Sequence, residues 1–193
     1  MLFHFFAGCV PDRPYLGHPA LMDLERIFKN EMISGSQHRF RHYTVNDISV
    51  ATTSLTVFLS GLREKPARTL YLCHATREDI VLGFLGEYSR CKRSGIPFEA
   101  ALIICGKRDK FEISAELKEL IDVHQEDVPI LLSPFTTHHS MELIYNYTPK
   151  LNINDLSRVV AACNHYEQYI DYDLLLKQTG NMLVSKILGT GSN

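Results

Sequence analysis

The stretch RTLYLCHATREDIVLGFL, Arg68 to Leu85, decides the fold. Its first half, Arg68 to Ala75, is a nearly continuous apolar run flanked by Pro66 and by the polar step TRED, which reads as a strand buried on both faces. A predicted helix follows, roughly Glu78 to Lys92, and ends at Ser94-Gly95. A both-faces-buried strand that runs straight into a helix is the repeating unit of a covered parallel sheet.

The same alternation extends outward. Downstream, FEAALIICG is a strand closed by Gly106, SAELKELIDVH a helix with Ser114 as its N-cap, and VPILLSP a further strand. A helix from about Thr136 follows, then a break at Thr148-Pro149, a helix about Asn154 to Asn164 and a last one around Tyr172 to Gln178. Upstream, TSLTVFLSGL carries helical spacing, and HYTVNDISVAT, from His42, is a first strand interrupted near Asn46-Asp47. Before it, ALMDLERIFKNEMI sets Leu21, Leu24, Ile27, Phe28 and Met32 on one helical stripe, stopped by Gly35. Residues 11 to 19, PDRPYLGHP, hold three prolines and read as a linker or extended arm. The expectation is an α/β fold, a three-layer parallel sheet flanked by helices. The division is an arm and amphipathic helix over 1–41, an α/β domain over 42–178 and a flexible tail over 179–193.

Composition narrows the function. At 193 residues with 45% hydrophobic side chains, the chain can build one good core. A net charge of −2 leaves no basic excess for a nucleic acid. No run approaches the roughly 18 apolar residues that a membrane span needs. Five scattered cysteines, with no CxxC pair, read as buried thiols of a reducing compartment. The opening MLFHFFAGCV lacks a basic leader region, so a cytoplasmic, unprocessed chain is expected. No GxxxxGK[ST], GxGxxG or GxSxG occurs, which removes the P-loop, the dinucleotide fingerprint and the serine elbow.

Ligands of parallel sheets sit at the carboxyl ends of strands. Three segments end there: HATRED, CGKRDK and SPFTTHH. Thr76 can cap the following helix and Asp79 complements its dipole, which leaves Arg77 as a candidate anion anchor or a solvated, ion-paired cation. Gly106 with Lys107 and Arg108 is either a charged surface turn or the other half of a basic mouth. His138 and His139 are adjacent, so on a helix they diverge by about 100° and cannot easily share a metal. Each can instead meet Glu142 across one turn. No metal site is expected.

The order and spacing of these segments resemble the DRTGG domain of long phosphate acetyltransferases, over about residues 43 to 176. Thr76-Arg77-Glu78-Asp79 matches that family's Asp-Arg-x-Asp step with Thr in first place. Cys105-Gly106-Lys107 stands at its Thr-Gly-Gly step, Thr136-Thr137 at its threonine-rich turn and Ile170-Asp171 at its closing Ile-Asp. The departures at Thr76, Cys105 and Lys107 fall at the strand ends. The segment AGCVPDRPYLGHPALMDLERIF is similar to the exit from the BioD-like P-loop domain of those enzymes.

The resemblance implies a sheet similar to the amino-terminal domain of the HPr kinase family. It also implies a regulatory or oligomerisation module without the catalytic acetyltransferase domain, and hence no catalysis of its own and no cofactor. An anionic metabolite or nucleotide effector would bind near Thr76, Arg77, Asp79, Gly106, Lys107, Thr136 and Thr137. Expected partners are a second copy of the chain or a phosphate acetyltransferase-type protein. Two alternatives stay open: a small enzyme using His138 or His139 as acid/base, and a structural interaction domain that docks through its amino-terminal arm.

Overall fold

A computed structural model describes residues 6–44, 48–64, 68–106, 113–123 and 127–177. The chain divides into two compact units, residues 17–149 and residues 1–16 with 150–193.

The larger unit is a five-stranded sheet among the described residues, with helices on both faces. Strands β1 (Met32–Ser34), β2 (Ile48–Val50), β3 (Leu70–His74), β4 (Ala101–Cys105) and β5 (Ile130–Ser133) lie in the order β1-β5-β4-β3-β2. The helices are α1 (Leu21–Phe28), α2 (Leu55–Glu64), α3 (Glu78–Arg93), α4 (Ala115–Asp122) and α5 (Thr137–Tyr145). Strands β2 to β5 are mutually parallel, as the apolar runs require, and β1 adds an antiparallel edge beside β5.

The order explains the layers. Each step from β2 to β3, β4 and β5 moves one place in the same direction, and right-handed crossovers then put α2, α3 and α4 on one face. Side chains alternate across the sheet to serve both faces. Tyr71, Cys73, Leu102, Ile104 and Ile130 pack under α2, α3 and α4 with Phe58, Phe84, Leu117 and Ile121. Leu70, Leu72, Ile103 and Leu131 pack on the other face with Leu21, Leu24 and Phe28 of α1 and Ile144 of α5. The first face holds a run of edge-on rings, Phe58 to Tyr71 at 5.2 Å and Phe84 to Phe98 at 5.1 Å between centroids. Such contacts add about 0.5–1.5 kcal/mol each beyond the area buried.

One expected element is corrected. Met32 does not continue the α1 stripe, because the helix stops at Lys29, which adopts a left-handed φ of 53°. Met32 instead pairs with Leu131 as part of β1. The Glu25 carboxylate, buried on α1, holds this turn by accepting the Met32 N–H at 2.9 Å and the Arg39 Nε–H at 2.8 Å. Asp23 does the same at the helix start, accepting the Ala20 N–H at 2.9 Å and the Tyr147 hydroxyl at 3.1 Å. Both acids are buried, which is tolerated because backbone donors and tertiary partners satisfy them.

The smaller unit carries α6 (Leu156–Glu167), whose N-cap Asp155 accepts the Arg158 N–H at 3.2 Å. Part of the proline-rich arm belongs to this unit. Gly8 bridges Ile170, the Asp171 N–H donates to Ala7 O at 2.7 Å, and His165 Nε2 lies 2.8 Å from Pro11 O. Residues 172–177 form the last described helical turn, and the tail over 179–193 lies outside the described residues.

Candidate functional site

The carboxyl ends of the parallel strands diverge at one place. After β4 the chain crosses to α4 on one face, whereas after β5 it crosses to α5 on the other. Open α/β sheets bind their ligands outside such a switch point. The candidate site therefore has its floor at the ends of β4 and β5, where the buried Gly106 donates its N–H to Ser133 O at 3.2 Å.

The side chains beside this floor form a hydroxyl-lined row. His74, Cys105 and Ser133 are neighbours in strand register. Ser133 Oγ lies 2.7 Å from Ser140 Oγ, with both residues fully buried, and also accepts the Phe135 N–H at 3.3 Å. Ser140 donates onward to Thr136 O at 2.9 Å. Burial pushes the Cys105 thiol above its ordinary value, and hydrogen bonds with the Ser140 and Thr137 side chains work against that rise. Cys105 is therefore a protonated, enclosed thiol. Thr137 opens α5 and is half-buried, between Cys105 and solvent.

Thr136 caps α5 by accepting the His139 N–H at 3.3 Å. The start of α5, with the unpaired N–H groups of a first helical turn, therefore follows directly on the end of β5. Neutral hydroxyls with backbone donors suit a small anion or carbonyl group, because they donate hydrogen bonds without carrying charge.

Arg77 and Asp79 occupy the neighbouring strand end, but in mutual contact. Arg77 Nε and Nη2 donate to the two Asp79 oxygens at 2.8 and 2.9 Å, and Nη2 also donates to Thr53 O at 2.9 Å. Nη1 reaches Ala51 O at 3.4 Å. The guanidinium thus ties the β2–α2 loop to the start of α3. Its hydrogen bond holds the Asp79 carboxyl below the usual carboxylate range, and the same bond raises Arg77. The expected Thr76 cap is corrected: Arg77 holds the N-cap position of α3 without a side-chain cap bond, and Thr76 Oγ1 lies 2.9 Å from His74 Nδ1. Lys107 and Arg108 lie outside the described residues, as does the rest of 107–112.

The paired histidines decorate α5. His139 Nδ1 is 3.3 Å from Glu142 Oε2, and its ring stands edge-on to Phe135 at 4.9 Å between centroids. His138 is exposed. No group of three or more His, Cys, Asp or Glu among the described residues could hold a metal ion, and no described helix is long and apolar enough to cross a membrane.

The sequence singled out Gly106, Thr136 and Thr137 by residue and took in His74, Cys105 and Ser133 only through the segments HATRED, CGKRDK and SPFTTHH, whereas Ser140 lies in none of them. One signal was present: Ser140 sits four residues before Ile144, on the stripe that α5 buries. A serine on an apolar stripe announces a buried partner, which here is Ser133.

No curated protein and no solved structure matches the chain. The family model described as the DRTGG domain matches residues 23–147, which is more than half of the chain and nearly the whole of the larger unit. That match takes in most of α1, the five described strands and α5, and by it the chain belongs to the DRTGG domain family.

Proposed function

We propose that this chain is a regulatory module that binds a small anionic metabolite or nucleotide effector at the carboxyl edge of its sheet. The observation that carries the reading is the switch point between β4 and β5, where the half-buried Thr137 beside Cys105 and the start of α5 meet the strand ends. The surrounding groups favour binding over chemistry. Cys105 is held protonated by burial, Ser133 and Ser140 are spent on one another, and His139 faces Glu142 outside the row.

A link to phosphate acetyltransferases is part of the same proposal: the module would report metabolite levels to an acetyl-transferring partner and would transfer no acetyl group itself. It would work in the cytoplasm, where such metabolites are found. Arg77 enters as a positioning residue, since its guanidinium holds the loop after β2 against α3 through Thr53 and Asp79.

Isothermal titration of the whole chain with phosphate, AMP, ATP, NADH, pyruvate and acetyl-CoA tests the reading. One of these should bind, Thr137→Val should weaken it about tenfold through loss of one hydrogen bond to a charged group, and Arg77→Ala should weaken it less. Heat absent across the panel, or binding unchanged in Thr137→Val, overturns the site. Turnover of acetyl phosphate by the pure chain overturns the non-catalytic role.

A further inference from the structure

The two edges of the sheet are built differently. At β1 the register with β5 is broken between Met32 and Ser34, the Met32 N–H is taken by Glu25, and Gly35 turns the chain away at a φ of 73°. These are devices that blunt an edge against further pairing. Strand β2 has none of them: Ile48, Ser49 and Val50 pair with Leu70, Tyr71 and Leu72 in unbroken register and carry no charge and no proline.

Beside that edge lies a groove of about 380 Å³ between β2 and α2. Small residues create it: Ser49 and Ala51 on the strand side and Gly61 on the helix. Gly61 lies inside α2, where glycine costs about 1 kcal/mol against alanine. Nothing within the unit demands it, since a Cβ built there meets no atom within 4 Å. Val57, four residues earlier on the same helix face, also lines the groove and is 56% exposed. Within the larger unit, sheet layer and helix layer therefore stop together at one end that is uncharged among its described lining residues.

From this end we infer that a second copy of the chain docks here, its β2 pairing antiparallel with β2 across a two-fold axis through Ser49. The hydrogen-bonding groups have the required phase. Ala51 donates its N–H inward to Leu72 O, so by alternation Ile48 and Val50 turn their backbone groups outward. Centred on Ser49, Ile48 of each copy then faces Val50 of the other as a hydrogen-bonded pair, and Ser49 faces Ser49 as the non-bonded pair. The Val50 carbonyl already accepts the Thr52 N–H at 2.9 Å and keeps its second lone pair for the partner. The strand's apolar-small-apolar pattern complements itself under this operation. A two-fold contact also brings each residue near its own copy, so it suits a surface without charge, and no charged residue is among the described residues that line the groove. A charged peptide would call for the opposite.

The contact extends both layers. The sheet continues as one ten-stranded unit through β2, and Gly61 allows the two α2 helices to approach closely over Val57.

Sedimentation of the full chain tests this. The wild type should be a dimer at micromolar concentration. Ser49→Glu and Ser49→Lys, which put like charges on the axis, should each raise the dissociation constant about a hundredfold or more while keeping the wild-type circular dichroism. An equimolar mixture of the two should dimerise again. Should either variant fail to fold, Val57→Lys on the exposed face of α2 replaces it and should also give monomers. A monomeric wild type, or a dimer that survives Val57→Lys and both Ser49 changes, overturns the inference. Because Ser49 and Val57 line a different part of the sheet from Thr137, effector binding by the monomeric variants separates this outcome from that of the effector site.

Discussion

Gly35 concentrates the stereochemistry of the β1 turn in one residue. Its φ of 73° lies in the left-handed region, and a Cβ built there would come within 2.6 Å of the Pro129 backbone. That contact cannot be relieved by rotating a side chain, because the obstacle is main chain. Gly35→Ala should therefore cost about 2–4 kcal/mol, from the left-handed penalty and the overpacking together. Urea unfolding of the variant checks this; a loss below about 0.5 kcal/mol, the scale of an ordinary surface change, would show that the turn yields. The glycine was visible in the sequence as a stop signal, but its true role is the close approach to Pro129, a residue almost a hundred positions away.

At the scale of elements, α2 and α3 are joined by a buried acid. Glu87 of α3 is 3% exposed and receives the Arg63 Nε–H of α2 at 3.0 Å and the Arg90 Nε–H at 2.8 Å. The Arg90 hydrogen bond, ahead of that from Arg63, holds the Glu87 carboxyl below its ordinary 4.5. A depressed acid contributes stability above its unfolded pKa and loses that contribution as pH falls through the lower folded value. Glu87→Gln should thus cost about 1–2 kcal/mol at neutral pH, a modest figure because both arginines are roughly half exposed. The gap between wild type and variant should close under acid, below pH 4.5. A gap that stays constant from neutral to acid pH would assign the loss to packing instead of charge. Helical periodicity placed α2 and α3, but no spacing rule connects Arg63 to Glu87, since they meet only after β3 has carried the chain back across the sheet.

At the scale of the whole molecule, the thiols report the two units separately. The expectation of five buried thiols is corrected for two of them: Cys9 and Cys163, both exposed, belong to the smaller unit, whereas Cys73, Cys91 and Cys105, all buried, belong to the larger. Burial pushes Cys73 up to about 12 and raises Cys91 and Cys105 as well, so little thiolate forms in any of them near neutral pH. A disulfide reagent should titrate two thiols quickly and the remaining three only on unfolding. Four or five fast thiols would mean that the sheet opens on the time scale of the reaction.

Local sequence determined the parallel strands, the helices between them and the cap at Ser114, because each rests on near neighbours: an unbroken apolar run, a 3.6-residue stripe, or a hydroxyl three residues ahead of a free N–H. It also placed Gly106, Thr136 and Thr137 together, since strands of a parallel sheet all end on one edge. The tertiary structure alone decided the rest. Met32 to Ser34 became a strand because β5 offered a free edge and Glu25 took the Met32 N–H, which outweighed the helical pattern of that segment. Arg77 became a clamp because the loop carbonyls of Ala51 and Thr53 lie beside Asp79. The switch point lies between β4 and β5 because α4 and α5 cover opposite faces. In each case the partner is distant in sequence, and a distant partner leaves no period in the local pattern.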